Sequence, residues 1–182
     1  MTIVSLWLPI LVSAALVFVA SALVWTALPW HKSDFLKTAN EESVRAALRG
    51  LAPGFYLLPY VMDRDALKNP EVQQKWQEGP NAYITVIPNG MQKMGAKLIA
   101  SFVYYIVVGI ICAYVVSRTI GPGGDYLSVF RIAGTVAFIA YGIAYIQDSI
   151  WFGRPWAITG KNLFDALIYS LLTGGAFGWL AV

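Results

Sequence analysis

The sequence is short of the residues that most catalytic and metal sites use. Its 182 residues include one histidine, His31, and one cysteine, Cys112. A lone cysteine excludes a disulfide within the chain, and a lone histidine excludes a histidine-rich metal site. The chain also lacks a glycine-rich phosphate loop and the CxxC, HExxH and GxSxG motifs, which mark common nucleotide-binding, redox and hydrolytic sites. These absences argue against familiar enzymes, and we expect a protein without catalytic residues.

Charged residues are scarce and unevenly distributed. They make up 13% of the chain, against 58% hydrophobic residues, whereas soluble domains average about 25% charged residues. Nine of the 13 lysines and arginines and seven of the ten acids lie between residues 30 and 97. The net charge of +3 forms no basic stripe, so the sequence does not indicate a nucleic-acid partner. The composition predicts a membrane protein with one polar segment.

Four apolar runs, at residues 3–28, 97–120, 126–152 and 162–180, are long enough to cross a bilayer, which takes about 20 residues of helix. Tryptophans and tyrosines collect near the ends of these runs, as is typical of membrane interfaces. The first run has no basic start and no cleavage pattern, so we interpret it as a retained helix and not as a signal peptide.

The predicted fold class is an all-α membrane protein with four transmembrane helices and a small α+β extramembrane domain between helices 1 and 2. We predict transmembrane helix 1 at residues 1–29, the polar α+β domain at residues 30–96, and transmembrane helices 2 to 4 at residues 97–182. Within the polar domain, capping and β-branched patterns predict the order helix, strand, helix, strand. Two short strands and two short helices make a marginal core, so this domain is expected to rely on the membrane or on a partner.

Positive charges next to the helix ends predict the orientation of the chain, because such residues tend to stay in the cytoplasm. They collect at one set of helix ends: Lys32, Lys37, Lys93, Lys97, Arg154 and Lys161. We therefore expect a multi-pass protein of the bacterial inner membrane, with the polar domain in the cytoplasm and both termini outside.

A group of charges is predicted where membrane helices 3 and 4 meet. Asp148 lies about one turn before the end of helix 3, and Lys161 and Asp165, four residues apart, share a face at the start of helix 4. With Arg154 between them, these residues are expected to form an ion-paired cluster at the membrane boundary. The first interpretation of this cluster is a structural clamp between the two helices. Because charges at membrane level are often functional, a proton or ion pathway is the alternative interpretation.

Two further places offer binding chemistry. Arg154 stands between Trp151 and Trp156, an arrangement suited to contact with a lipid headgroup, although turn geometry explains the intervening glycine and proline equally well. His31 and Asp34 are three residues apart just after helix 1, and they are the candidates for a metal or pigment site. A metal site needs at least a third ligand, and haem or chlorophyll ligation by His31 is a further alternative. The main interpretation is that these two residues anchor the chain at the interface, so we expect no metal and no cofactor beyond a bound lipid.

Several segments resemble a group of small bacterial membrane proteins: 30–35 (WHKSDF), 53–60 (PGFYLLPY), 130–135 (FRIAGT), 165–169 (DALIY) and 178–179 (GW). The resemblance covers the chain from about residue 30 onward. It implies a bacterial source and a four-helix layout, and it carries no activity and no catalytic residues.

The sequence favours an accessory or scaffolding subunit of a larger membrane complex, respiratory or photosynthetic. Its expected partners are membrane lipids and either other membrane subunits or copies of itself. One alternative is a membrane enzyme that acts on a lipid through Asp148, Arg154 and Asp165.

The other alternative is a small oligomeric transporter or channel. Such a protein needs a polar stripe through the bilayer, and the best candidates for that stripe are Tyr104, Tyr105, Tyr141, Tyr145 and Tyr169.

Overall fold

A computed structural model describes residues 2–121 and 123–181. The protein is mostly helical (70%), with four helices long and apolar enough to cross a membrane and one small two-stranded sheet. The chain forms two compact units. We call Leu36–Gln92 the polar unit, and the segments before and after it together form the helical unit.

In chain order the elements are α1 (Trp7–Thr26), α2 (Glu41–Leu48), β1 (Gly54–Leu58), α3 (Pro70–Glu78), β2 (Ala82–Val86), α4 (Met94–Thr119), α5 (Tyr126–Phe138), α6 (Ala144–Phe152) and α7 (Trp156–Leu180). Short 3₁₀ turns at Val4–Leu6, Trp30–Ser33 and Ala66–Lys68 precede α1, follow α1 and precede α3. The four spans are Val4–Thr26, Met94–Thr119, Tyr126–Phe152 and Trp156–Leu180.

The helical unit is a ring of four packed spans. Contacts run from α1 to α4, from α4 to α5, from α5 to α7 and from α7 back to α1. The buried face of α1 includes Ile10, Ala14 and Val17, so this helix belongs to the bundle and does not lie apart from it.

The closest approach in the bundle is between α5 and α7. A Cβ atom built on Gly174 would lie 2.9 Å from the backbone oxygen of Phe130 and 3.3 Å from the Cα atom of Gly134. Small residues let helix backbones approach this closely, which is how helices associate where water does not drive them together. The small residues of α7 therefore serve packing inside the bundle.

The third span is one predicted helix but contains a π turn, Ile139–Ile143, between α5 and α6. A π turn closes its hydrogen bonds over one more residue than an α-helix does. Gly142 lies in this turn, where an added Cβ would come within 2.8 Å of the Cβ atom of Ala166 on α7. The turn also carries Tyr141, which is buried.

The polar unit follows the predicted order of helix, strand, helix and strand. The side chain of Asn40 caps α2 by accepting a hydrogen bond from the Ser43 backbone N–H (3.1 Å), and Asn69 caps α3 in the same way. Strands β1 and β2 pair antiparallel, from Gly54 opposite Val86 to Leu58 opposite Ala82. Every residue from 36 to 92 is half-buried or exposed, so the unit has no buried core of its own.

Three boundaries differ from the sequence prediction. Helix α4 begins at Met94, and residues 93–96, predicted as part of the polar domain, belong to the helical unit. Residues 30–35, predicted as part of the polar domain, belong to the helical unit, because His31 and Asp34 bind side chains of α7. Helix α7 begins at Trp156, six residues before the predicted start. The extra turns carry Lys161, whose ammonium group is held by the same 30–35 segment.

Candidate functional site

A linear chain of four ionisable side chains links the end of α1 to α7. His31 lies in the 3₁₀ turn Trp30–Ser33, and Asp34 follows that turn directly. Lys161 and Asp165 are one helical turn apart on α7, so their side chains leave the helix on the same face. We call these four residues the ion chain.

The contacts of the ion chain run in a fixed order. Lys161 Nζ donates to Asp34 Oδ1 (2.6 Å), and Asp34 Oδ2 lies 2.6 Å from His31 Nδ1. His31 Nε2 lies 2.7 Å from Asp165 Oδ2. The side chains of His31, Asp34 and Asp165 are 4 to 5% exposed.

The geometry of His31 sets the charge of this chain. A carboxylate has no hydrogen to donate, so each contact between a ring nitrogen and a carboxyl oxygen needs one proton. Asp34, His31 and Asp165 therefore share two protons, so with the ammonium group of Lys161 the four groups sum to zero charge. When both protons lie on the imidazole, the four groups alternate in sign.

Like His31, Asp34 lies outside the four spans. Burial acts to raise the pKa of its carboxyl group, but the hydrogen bonds from Lys161 and His31 and their positive charges outweigh that effect. The pKa of Asp34 is therefore held below its ordinary value. Lys161 also donates to Ser33 Oγ (2.8 Å) and to the Trp30 backbone oxygen, which ties the segment down further.

Aromatic rings enclose His31. The indole of Trp25 stacks on the imidazole at 4.0 Å between ring centroids and 7° between planes, and Trp30 meets it edge-on at 6.2 Å. An aromatic face attracts a cation, so this stacking suits the imidazolium form. The ring is 4% exposed as a result.

A cavity of about 240 Å³ opens beside the far end of the ion chain. Its lining comes from α1, α4, the π turn, α6 and α7: Trp25, Ser101, Tyr104, Tyr105, Tyr141, Tyr145, Asn162, Asp165 and Tyr169. Tyr141, Asn162, Asp165 and Tyr169 are buried, whereas Trp25, Tyr104 and Tyr145 are exposed. The cavity therefore has a polar inner end and an aromatic rim. The five tyrosines singled out for the transporter alternative all line it.

Two residues that line the cavity each carry a buried polar atom that lacks a partner. Asp165 uses Oδ2 for His31, while its Oδ1 and the hydroxyl group of Tyr169 make no hydrogen bond among the residues that the structure describes. The indole N–H of Trp30, although near enough to influence the Asp165 carboxylate, closes no hydrogen bond of ordinary geometry. Because an unpaired buried polar group costs about 1–3 kcal/mol, a molecule in the cavity that hydrogen-bonds to these two atoms would stabilise the site.

The four residues predicted as one ion cluster lie in two groups. Asp148 pairs with Arg154 at 3.2 Å in a half-exposed bridge, whereas Lys161 and Asp165 belong to the ion chain. No ion pair joins the two groups within residues 2–121 and 123–181. Trp151 and Trp156, predicted beside Arg154 as a lipid-headgroup contact, are exposed on the surface, and that contact stays a prediction.

His31 and Asp34 do not stand open as metal or pigment ligands in this conformation. Both ring nitrogens of His31 already face carboxylate oxygens, so neither has a lone pair free for a metal or for the centre of a haem or chlorophyll. Within the described part of the chain, no group of three or more His, Cys, Asp or Glu side chains is arranged to hold a metal ion.

Sequence reasoning missed the link between His31 and Asp165. These residues are 134 positions apart, and no local pattern connects them. The order of the helices could have indicated this contact, because the end of α1 and the start of α7 lie on the same side of a four-helix bundle. A lone histidine near one of these ends and an acid near the other are candidates for a pair.

Comparison of this chain with protein-family models, with curated proteins and with solved structures finds no significant match. The function must therefore be argued from the site itself.

Proposed function

We propose that the helical unit is a membrane-embedded binding protein for a small polar molecule, of the kind that forms the binding step of a small transporter. The observation that carries this proposal is the pair of unpartnered atoms, Asp165 Oδ1 and the Tyr169 hydroxyl group, on two residues that line one cavity. Ligand sites are concave and mostly apolar or aromatic, with a few polar groups that converge on the ligand. The tyrosine-lined cavity has these properties.

The position of the cavity supports the same proposal. Eight of its nine lining residues come from the halves of the spans nearest residues 26, 94, 152 and 156, and the ninth, Tyr169, lies just past the middle of α7, so the cavity belongs mainly to one side of the bundle. Near the opposite ends, a Cβ on Gly178 of α7 would lie 2.8 Å from a ring carbon of Tyr126. A smaller hollow of about 180 Å³ lies at those opposite ends, between Thr2 and Ile3 and the end of α4, and it is separate from the tyrosine-lined cavity, as a binding site that opens to one face of a membrane requires.

The test is the chemical accessibility of the cavity in the purified full chain. In a Cys112→Ala background we would introduce Ser101→Cys on the cavity wall and, as a matched control on the outer face of α4, Val103→Cys. Ser101 donates only to the backbone oxygen of Lys97 on its own helix, so the substitution disturbs little. Val103 is 52% exposed and does not line the cavity.

The uncharged reagent methyl methanethiosulfonate should modify the S101C thiol at least tenfold faster than the V103C thiol, because thiolates form only in contact with water. Equal, slow modification of both would mean that the cavity is closed to small polar molecules, and the proposal would fail.

We propose as a second candidate that the protein is an accessory subunit of a membrane assembly. This rests on the polar unit, in which no residue from 36 to 92 is buried although small domains need a core to be stable alone. The unit also carries an open groove of about 710 Å³ between α2 and β2, with Arg49 and Ile84 in its lining.

Arg49→Glu in this groove, with Arg64→Glu outside it as control, tests the accessory role. If the groove holds a partner subunit, the wild type and R64E should migrate in native gels as part of a larger assembly after gentle solubilisation, and R49E should not. Identical migration of all three would remove the support for this role.

We also propose the orientation that the positive charges predict, with the polar unit in the cytoplasm and both termini outside. The cavity, which lies near the His31 end of α1 and the Lys161 end of α7, would then open towards the cytoplasm. Alkaline phosphatase, which is active only outside the cytoplasm, should be active when fused after α7 and inactive when inserted near Gly90. The reverse pattern would invert the orientation.

A further inference from the structure

We propose that the ligand of the tyrosine-lined cavity is a small organic ammonium ion. This inference rests on the proposed binding function, and it goes further by naming the chemistry that the cavity selects. It is argued from the order of charges in the ion chain, from the lining of the cavity and from its size.

The first argument is the alternation of charge. From Lys161 to Asp165 the ion chain runs cation, anion, cation, anion, and its negative end is the one that reaches the cavity. The unpartnered Oδ1 of the Asp165 carboxylate accepts hydrogen bonds and donates none, so a ligand that binds this oxygen must donate a hydrogen bond to it. A ligand cation at this oxygen would continue the alternation, whereas an anion would meet a like charge.

The second argument is the lining. Among the described residues that line the cavity, Asp165 is the one charged side chain, and six of the other eight are aromatic. The faces of tyrosine and tryptophan rings carry partial negative charge and attract cations, and cages of such rings recognise alkylated ammonium groups.

The nearest basic side chains are committed elsewhere. Lys161 binds Asp34, Ser33 and the Trp30 backbone, and Arg154 pairs with Asp148. Neither lines the cavity, and no other basic side chain is among the described residues that line it, so the lining offers no positive charge to an anionic ligand.

The third argument is size and donor number. A volume of about 240 Å³ lies just below the range of drug-sized sites, about 300–1,000 Å³, so the ligand is a small molecule. A primary ammonium group has three N–H donors. Two of them would satisfy Asp165 Oδ1 and the Tyr169 hydroxyl oxygen, the two atoms that the chain leaves without a partner.

Charge selection can be measured on the S101C thiol with two methanethiosulfonate reagents of similar size and opposite charge. One carries a trimethylammonium-ethyl group and the other a sulfonatoethyl group. In an uncharged detergent, the ratio of cation to anion rates at S101C should exceed the ratio at Ser43→Cys, an exposed reference on the polar unit, by at least tenfold. Equal ratios would overturn the inference.

Reversible binding is tested by protection of the S101C thiol from methyl methanethiosulfonate. Butylammonium, butyrate and butanol are matched in chain length and differ in charge. Butylammonium should slow the modification, and the other two should have little effect. Protection by butyrate or butanol as strong as that by butylammonium, or no protection by any of them because the cavity holds only water, would overturn the ammonium inference.

Tyr169→Phe removes one of the two unpartnered atoms and keeps the ring. It should weaken butylammonium protection by about tenfold, the effect of losing one hydrogen bond to a charged group. Tyr114→Phe on the outer face of α4 is the control and should change nothing. Unaltered protection in Y169F would contradict the geometry proposed for the ammonium group.

The two proposals fail in different ways. If the S101C thiol is inaccessible even to the uncharged reagent, the binding function itself fails. If it is accessible but neither reagent charge nor ligand charge matters, a polar molecule other than an ammonium ion occupies the cavity, and the ammonium inference alone fails.

Discussion

Replacing Asp165 with asparagine should destabilise the protein far more than the same change at Asp148. Both are aspartates paired with a basic side chain near the same membrane boundary, at 2.7 Å to His31 and 3.2 Å to Arg154. They differ in burial, since the Asp165 side chain is 5% exposed and that of Asp148 is 35% exposed. The pair of substitutions therefore isolates the effect of burial.

The expected magnitudes follow from that difference. Removing one partner of a buried ion pair costs about 3–5 kcal/mol, because the remaining charge stays buried without compensation. Asparagine keeps an oxygen that can accept from His31 Nε2, so we expect a loss of about 3 kcal/mol for Asp165→Asn. Exposed ion pairs contribute about 0–1 kcal/mol, so Asp148→Asn should cost no more than about 1 kcal/mol.

The assay is reversible unfolding of the full chain in mixed micelles of dodecyl maltoside and increasing sodium dodecyl sulfate, followed by far-ultraviolet circular dichroism. A double-mutant cycle with His31→Gln assigns the loss to the pair, since Asp165→Asn should cost little once the imidazole is absent. Equal losses for Asp165→Asn and Asp148→Asn, or an undiminished loss in the H31Q background, would refute the ion chain as a buried, coupled unit.

Two further predictions concern packing and pH. Gly174→Ala should be less stable than Gly175→Ala by about 1–3 kcal/mol, the usual cost of overpacking, because the added methyl meets Phe130 at Gly174 and nothing within 4 Å at Gly175; equal unfolding midpoints would contradict the close approach of α5 and α7. The pKa of Asp34 is lower in the folded protein than in the unfolded chain, where it is about 4. The Asp34 carboxylate therefore stabilises the folded state fully above the unfolded-state pKa. This contribution disappears as the pH falls through the lower folded-state pKa. The stability lost in Asp34→Asn should therefore be large at pH 6 and shrink towards pH 3, and a penalty independent of pH would show that charge is not what Asp34 contributes.

The sequence predicted the elements whose cause is local. The prediction of four membrane helices is confirmed as four helices long and apolar enough to span a bilayer, because a run of apolar residues determines a membrane helix without reference to the rest of the chain. The two strands were predictable for a similar reason, since β-branched and aromatic residues mark Ala82–Val86, whereas its pairing with Gly54–Leu58 spans a connection that includes α3 and has no local signal.

The site was predictable only in parts. Lys161 and Asp165 were recognised as neighbours on one helix face, and His31 and Asp34 as neighbours in sequence. The contact between these two pairs depends on how the turn after α1 packs against α7, which no local sequence pattern indicates. The same holds for the tyrosines, whose convergence on one cavity follows from bundle packing and from the π turn.

The interior also differs from expectation in polarity. The sequence offered only tyrosines as candidates for a polar stripe through the bilayer. Asp165 lies nine residues into α7, which is about 14 Å along the helix, and it is buried with Asn162 and Tyr169. Part of the bundle is therefore polar, and the transporter alternative gains support from it.

The π turn at Ile139–Ile143 has a consequence for how the length of this chain can vary. Because the turn holds one residue more than an α-helical ring, a related chain one residue shorter between Phe138 and Ala144 would form an uninterrupted helix. A π turn and an α turn each complete about one full rotation, so Tyr145 and the rest of α6 would keep the face that they present to the bundle, and the change would be confined to the turn that carries Tyr141. A deletion of one residue there would preserve the membrane-spanning helix and the orientation of α6, and it would alter the cavity only where Tyr141 lines it, so this short segment is a place where the chain can change in length by one residue without repacking of the bundle.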